Sequence, residues 1–275
     1  MLVVRNLWVK YKDNSNWIIK DISFEAKEGE LILIAGESGS GKSTLARAIA
    51  GLIPFLFPGT VKGFISVYGK NPLKNGVQSL AGLLSFVGQN PEMFISTLKV
   101  FDEIAFPLMN LGVPREEILR RIYEITELLG LRNLLDRLTP ELSAGQLQRV
   151  ALASALVTNP KILILDEPLA RLDKKSAIFV ASLLRRLADN GKIIIVFEHH
   201  LDEILPFSNR VIVIKDGRII AEGKSLEIIK YLLDVDIPEI SEAFVPLYKN
   251  KVVSKIPITV KEAVKLIDHA KERLV

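Results

Sequence analysis

Two periods of apolar residue alternate along the chain. Leu2–Val9 and Ile18–Phe24 are short apolar segments on either side of the polar stretch Lys12–Asn16, and they predict a strand pair joined by a loop. Leu31–Ala35 (LILIA) is an unbroken apolar run that stops at Gly36, the pattern of a strand buried on both faces. A helix is predicted from about Lys42, with Leu45, Ala48 and Ile49 on one face. Phe64–Tyr68 and Leu83–Val87 predict further strands. Between Pro91 and Leu142 the texture turns helical, and Arg115–Leu129 carries apolar residues at Ile118, Ile122, Ile125 and Leu129. Strand signals return at Ile162–Leu165, Ile193–Phe197 and Val211–Ile214, with a helix over Lys175–Ala188 between the first two.

Strands alternating with helices predict an α/β fold: a mostly parallel sheet flanked by helices, with N-terminal antiparallel strands and a helical insertion at about 91–147. A main domain over 1–232 and a C-terminal extension over 233–275 are expected. Asp234–Pro238 reads as a linker, and Thr259-Val-Lys-Glu262 has capping-box spacing. The helix it opens has an apolar stripe at Val260, Val264, Ile267, Ala270 and Leu274. Such a stripe packs on its own domain or docks a second copy as a dimerisation element.

Composition narrows the classes. There is no cysteine, which excludes disulfides, thiolate metal sites and cysteine nucleophiles, and fits a reducing cytoplasm or a hot habitat. No apolar run approaches the roughly 18–20 residues that span a bilayer, and Arg5 and Asn6 interrupt the only N-terminal stretch that could resemble a leader. If this chain moves something across a membrane, other subunits form the pathway. The net charge of +4 is mild and reads as a solvated, Lys-rich surface, so no nucleic-acid partner is expected.

The chemistry sits at strand ends. Gly36-Glu37-Ser38-Gly39-Ser40-Gly41-Lys42-Ser43, followed by Thr44, fits G-x-x-x-x-G-K-[ST] between a buried strand and a helix. Glycines let successive backbone N–H groups converge on phosphate oxygens, Lys42 reaches the terminal phosphates and Ser43 ligates Mg²⁺. Chance produces this pattern in a chain of this length on the order of one time in a hundred. Lys161–Leu165 is an apolar strand that delivers Asp166 and Glu167 at its end, where open α/β sheets bind ligands. Asp166 is the candidate Mg²⁺ ligand, and Glu167 the residue that polarises the attacking water.

Leu142-Ser143-Ala144-Gly145-Gln146, followed by Leu-Gln-Arg-Val-Ala-Leu-Ala, resembles the signature motif of ATP-binding-cassette (ABC) transporter ATPases. Gln89 in Phe-Val-Gly-Gln-Asn-Pro-Glu resembles that family's Q-loop, His199 its switch histidine, Tyr11 its adenine-stacking aromatic, and Ala170-Arg-Leu-Asp173 its D-loop. The resemblance covers about residues 2–230. It implies a P-loop ATPase that hydrolyses ATP with Mg²⁺, sandwiched between two subunits. One would supply Tyr11, residues 36–43, Asp166 and Glu167, and the other Ser143 and Gly145; Thr44, Gln89 (also a Mg²⁺ contact), Gln146, Asp173 and His199 are further nucleotide-site residues that the resemblance implies.

Gln89-Asn-Pro-Glu92, Val100–Phe106 and Asn110–Pro114 look like the ATPases of energy-coupling-factor importers for vitamins or for cobalt and nickel. Such ATPases pair as homodimers or with a paralogue and work with a transmembrane coupling subunit and a substrate-binding membrane subunit. The chain is then expected at the cytoplasmic face of the membrane, peripherally bound. Two alternatives stand beside this: an ATP-gated ABC clamp outside transport, and a weakly active partner in a heterodimer. Ala144 replaces the usual signature glycine. Arg171 and Lys174 stand where small residues and proline are common, and Glu198 and His200 flank the switch histidine where threonine and aspartate are frequent.

Overall fold

A computed structural model describes residues 1–232 and 238–272 of the 275-residue chain. The predicted strand pair forms β1 (Leu2–Tyr11) and β2 (Ile19–Ala26), antiparallel, with β4 (Gly59–Val67) on the other side of β1. The second sheet is built from β3 (Leu31–Ala35), β5 (Leu84–Val87), β6 (Ile162–Asp166), β7 (Ile193–Glu198), β8 (Arg210–Lys215) and β9 (Arg218–Gly223), in the order β5-β6-β7-β3-β8-β9. All its pairings are parallel except β8–β9. Its central strands β3, β6 and β7 are buried at every residue, which is why they read as continuous apolar runs.

β9 was not foreseen. It alternates half-buried and exposed residues on the sheet edge, and it follows a tight turn at Asp216 (φ 49) and Gly217 (φ 77). A Cβ on Gly217 would sit 1.8 Å from the Ile18 carbonyl oxygen, so the turn requires glycine.

Helix α1 (Lys42–Ile49) buries Leu45, Ala48 and Ile49 between the two sheets, as the spacing predicts. The single-turn helices α2 (Leu52–Phe55) and α3 (Pro72–Asn75) lead away from it. The helical insertion consists of α4 (Val100–Asn110), α5 (Arg115–Leu129) and the start of α6 (Ala144–Leu156), which runs unbroken past residue 147. Ile118, Ile122 and Leu129 of α5 are buried in one core shared with α7 (Lys174–Asp189) and the opposite face of the parallel sheet.

Beyond β9 lie α8 (Ser225–Ile228), α9 (Glu239–Lys249) and α10 (Val260–Glu272). Of the expected linker, only Pro238 is among the described residues. Phe244 of α9 and Ala263 of α10 join the main core. The capping box forms with its back-bond one residue early: Thr259 Oγ1 accepts from Glu262 N (3.2 Å), while Glu262 Oε2 accepts from Ile258 N (2.9 Å). The stripe does not pack on its own domain, because Val260, Val264 and Ile267 are exposed. The Ala270 side chain and Leu274 lie outside what is described.

Candidate active site

The parallel strands end on one edge of the sheet, and four of the segments that follow them carry the predicted chemistry: residues 36–43 after β3, Gln89 after β5, Glu167 after β6 and His199 after β7. The loop after β3 is held tightly. A Cβ on Gly36 would lie 2.3 Å from the Ile214 carbonyl oxygen, and Gly41 adopts φ 104 against the Ile19 side chain. Glu37, Ser38 and Gly39 are exposed, whereas Ser40, Lys42 and Thr44 are buried. α1 starts at Gly41 with no side-chain cap, so its first N–H groups are open to an anion. Lys42 Nζ donates to the carbonyls of Gly36 (2.7 Å) and Glu37 (3.0 Å) and so arches over the loop. Burial lowers its pKa, against the opposing pull of Glu167, Asp166 and Glu198.

Asp166 is fully buried. Its Oδ1 accepts from Ser43 Oγ (3.1 Å), while the buried Oδ2 has no hydrogen-bond partner. Burial pushes its carboxyl up to about 6; the Ser43 bond opposes the rise and the charge of Glu167 adds to it. An unpaired carboxylate oxygen beside a serine hydroxyl is a hard-oxygen donor set, and it fits Mg²⁺. Gln89 reaches the neighbouring carboxylate, its Nε2 donating to Glu167 Oε2 (2.6 Å).

Glu167 takes φ 51, a left-handed conformation that costs a non-glycine residue on the order of 1 kcal/mol. Its N–H is fixed to the Phe197 carbonyl on β7 (2.9 Å). The carboxylate then lies between the Gln89 amide and His199 Nδ1, which is 3.2 Å from Oε1. Behind it, the buried Glu198 accepts from Leu169 N (3.1 Å) and His199 N (3.3 Å). Burial, with Glu167 and Asp166 adding to it, pushes Glu198 up to about 8.

Tyr11 is placed by a residue the sequence reading missed. Arg47 Nη1, on α1, donates to Tyr11 Oη (3.0 Å), and its guanidinium lies over the Phe57 ring at 4.6 Å. Arg47 follows Ser43 by one helical turn, a phase visible in the sequence; the pairing with a strand 36 positions earlier is not.

The remaining candidates do not join this cluster within one chain. Ser143 and Gln146 close a capping box on α6, with Gln146 N to Ser143 Oγ at 3.3 Å and Ser143 N to Gln146 Oε1 at 2.9 Å. Ala144 is exposed, so its methyl disturbs nothing here. Gly145 faces the Arg171 carbonyl, 3.2 Å from where a Cβ would be. Asp173 caps α7 through Ser176 N (3.0 Å) and Ser176 Oγ (2.7 Å).

Comparison with known proteins agrees with this geometry. The ABC transporter family profile matches residues 19–170. An ABC transporter ATP-binding protein of Pyrococcus abyssi is 39% identical over 229 residues, covering 83% of this chain and 82% of that protein. A relative from Sulfurisphaera tokodaii is 41% identical over 223 residues, but the chain spans only 47% of its length. Among solved structures, cbiO1 of Clostridium perfringens, part of the ABC transporter complex cbiONQ, superposes with a TM-score of 0.72 at 30% identity, covering 90% of this chain and 96% of that one. The ATP-binding cassette MJ0796, in a dimeric post-hydrolysis state bound to ADP and Pi, gives 0.73 at 29% identity, covering 82% and 99%.

Proposed function

This chain belongs to the ABC transporter family as an ATP-hydrolysing, ATP-binding subunit, and from that premise we propose how its site works and what it serves. ABC ATPases act as dimers alongside membrane subunits, and no helix among the described residues is long and apolar enough to cross a membrane itself. In the proposed arrangement Tyr11 stacks on the adenine, residues 36–44 and Lys42 bind the phosphates, and Ser43 and Asp166 hold Mg²⁺. Mg²⁺ bound there would offset phosphate charge. Glu167 orients the attacking water and takes its proton, while His199 contacts the terminal phosphate.

The observation that carries this reading is the separation described above. The phosphate loop, Gln89, Asp166, Glu167 and His199 occupy one end of the parallel sheet, with Tyr11 tied to α1 through Arg47, whereas Ser143 and Gln146 are bonded to each other. A second protomer supplying Ser143, Gly145, Gln146 and Asp173 completes each site, so ATP favours the closed dimer through its differential affinity.

The likeness to cbiO1 supports placing the dimer on the cytoplasmic face of a membrane, beneath a coupling subunit and a substrate-binding subunit that take up a vitamin or a transition-metal ion. The groove beside Gln89, lined by Phe86, Phe94, Ile95, Pro107 and Ala151, receives a helix of the coupling subunit, and the exposed Val260, Val264 and Ile267 stripe joins the two ATPases.

The test is Glu167→Gln with Mg·ATP. Turnover should fall at least a hundredfold while Mg·ATP raises the share of dimer on size exclusion. Turnover close to wild type, or a variant that stays monomeric under saturating nucleotide, would refute the sandwich.

A further inference from the structure

Arg171 lies in the D-loop position, between β6 and α7, where the resemblance leads one to expect a small residue. Its guanidinium crosses to the segment that follows Gln89: Nη1 donates to Glu92 Oε1 (2.5 Å) and Nη2 to Asn90 Oδ1 (2.7 Å). Glu92 titrates below its usual range, chiefly through a backbone hydrogen bond, with the Arg171 bond adding to the effect. The Arg171 carbonyl faces Gly145, at the start of α6. From the segment that opens α7, one residue thus reaches two others: the one that aims Gln89 at Glu167 and the one proposed to serve the partner's nucleotide.

We propose that Arg171 is a positioning residue that latches residues 90–92 to the D-loop and thereby seats the Gln89 amide on Glu167. Two acceptors on one planar fork fix both the distance and the direction of the segment, which a single contact would not do. Glu92 is 53% exposed, so screening keeps the Coulomb part of the pair small; the geometric constraint is what reaches Glu167. Next to Asn90, Pro91 is buried and opens a short helical turn, so the segment is anchored at that point and the latch fixes its direction beside Gln89. A lysine could not replace it, because one ammonium does not match both acceptors in this geometry.

The inference rests on the ATPase reading, and its test has two arms. In steady-state ATPase, Arg171→Ala and Glu92→Ala should each lower kcat about fivefold with KM for ATP within about twofold, the size expected from losing an exposed, well-aligned pair. The double variant should be no worse than either single one, and the exchanged pair Arg171→Glu with Glu92→Arg should recover most of the loss. Additive losses, or an effect confined to KM, would overturn the latch. The second arm, amide hydrogen exchange over residues 89–94 without nucleotide, needs no turnover: both alanine variants should exchange faster there and not in the parallel sheet. Unchanged exchange would overturn the latch even if the ATPase is active. Faster exchange in both alanine variants, alongside a wild-type protein that hydrolyses no ATP, would sink the hydrolytic reading and leave the latch standing.

Discussion

Glu198 ends a fully buried strand, and its carboxyl is pushed from an ordinary 4.5 up to about 8. Between those values the unfolded chain is ionised and the folded one is protonated, so folding takes up a proton. The native state then binds more protons than the unfolded state, and stability falls as pH rises from about 4.5 to about 8, levelling off above. Counting from 4.5 to pH 7 at about 1.4 kcal/mol per pH unit, the carboxyl costs about 3 kcal/mol at neutral pH. Glu198→Gln removes that cost, since an amide has no proton to gain. It keeps one oxygen for Leu169 N–H and gives up the acceptor at His199 N–H, whose bond is the longer of the two. The net loss of one such bond is about 1 kcal/mol. Urea unfolding followed by circular dichroism, from pH 5 to pH 9, should show the variant less stable than wild type near pH 5. It should become more stable by about 2 kcal/mol near pH 7 and hold a plateau above pH 8. A difference that does not change with pH would refute the reasoning, because it would mean that the two N–H bonds hold Glu198 ionised in spite of its burial.

Two further outcomes follow from contacts elsewhere in the fold. Glu103 is buried and uses one oxygen, Oε2, to accept from both Ser96 N and Thr97 N at 2.9 Å, so Glu103→Gln should stay within about 0.5 kcal/mol of wild type, while Glu103→Ala, which orphans both donors, should cost about 2 kcal/mol in urea unfolding. Arg47→Met removes the bond that orients Tyr11 but leaves the phosphate loop intact; KM for ATP should rise about threefold with kcat nearly unchanged, and a fall in kcat alone would contradict the assignment.

Local pattern was enough for the parts whose physics is local. Leu31–Ala35 and Ile162–Leu165 read as strands buried on both faces, as they are, and the glycine loop running into Lys42 marked the helix N-terminus that is found there. The same sequence order placed Asp166 and Glu167 at the end of a strand, where they are found. Tertiary structure decided what depends on pairs far apart in the chain. Strand order brought Gln89, 78 positions away, onto Glu167, and α1 brought Arg47 under Tyr11. It also turned the Val260, Val264 and Ile267 stripe outward, because Ala263 and Leu266 on that helix meet the core instead. Arg171 shows the division most sharply: in sequence it is only a large residue where a small one is usual, and its two acceptors come into reach only when β5 and β6 lie side by side. Periodicity fixes which face a residue occupies within its own element; which other element meets that face is set by packing of the whole chain.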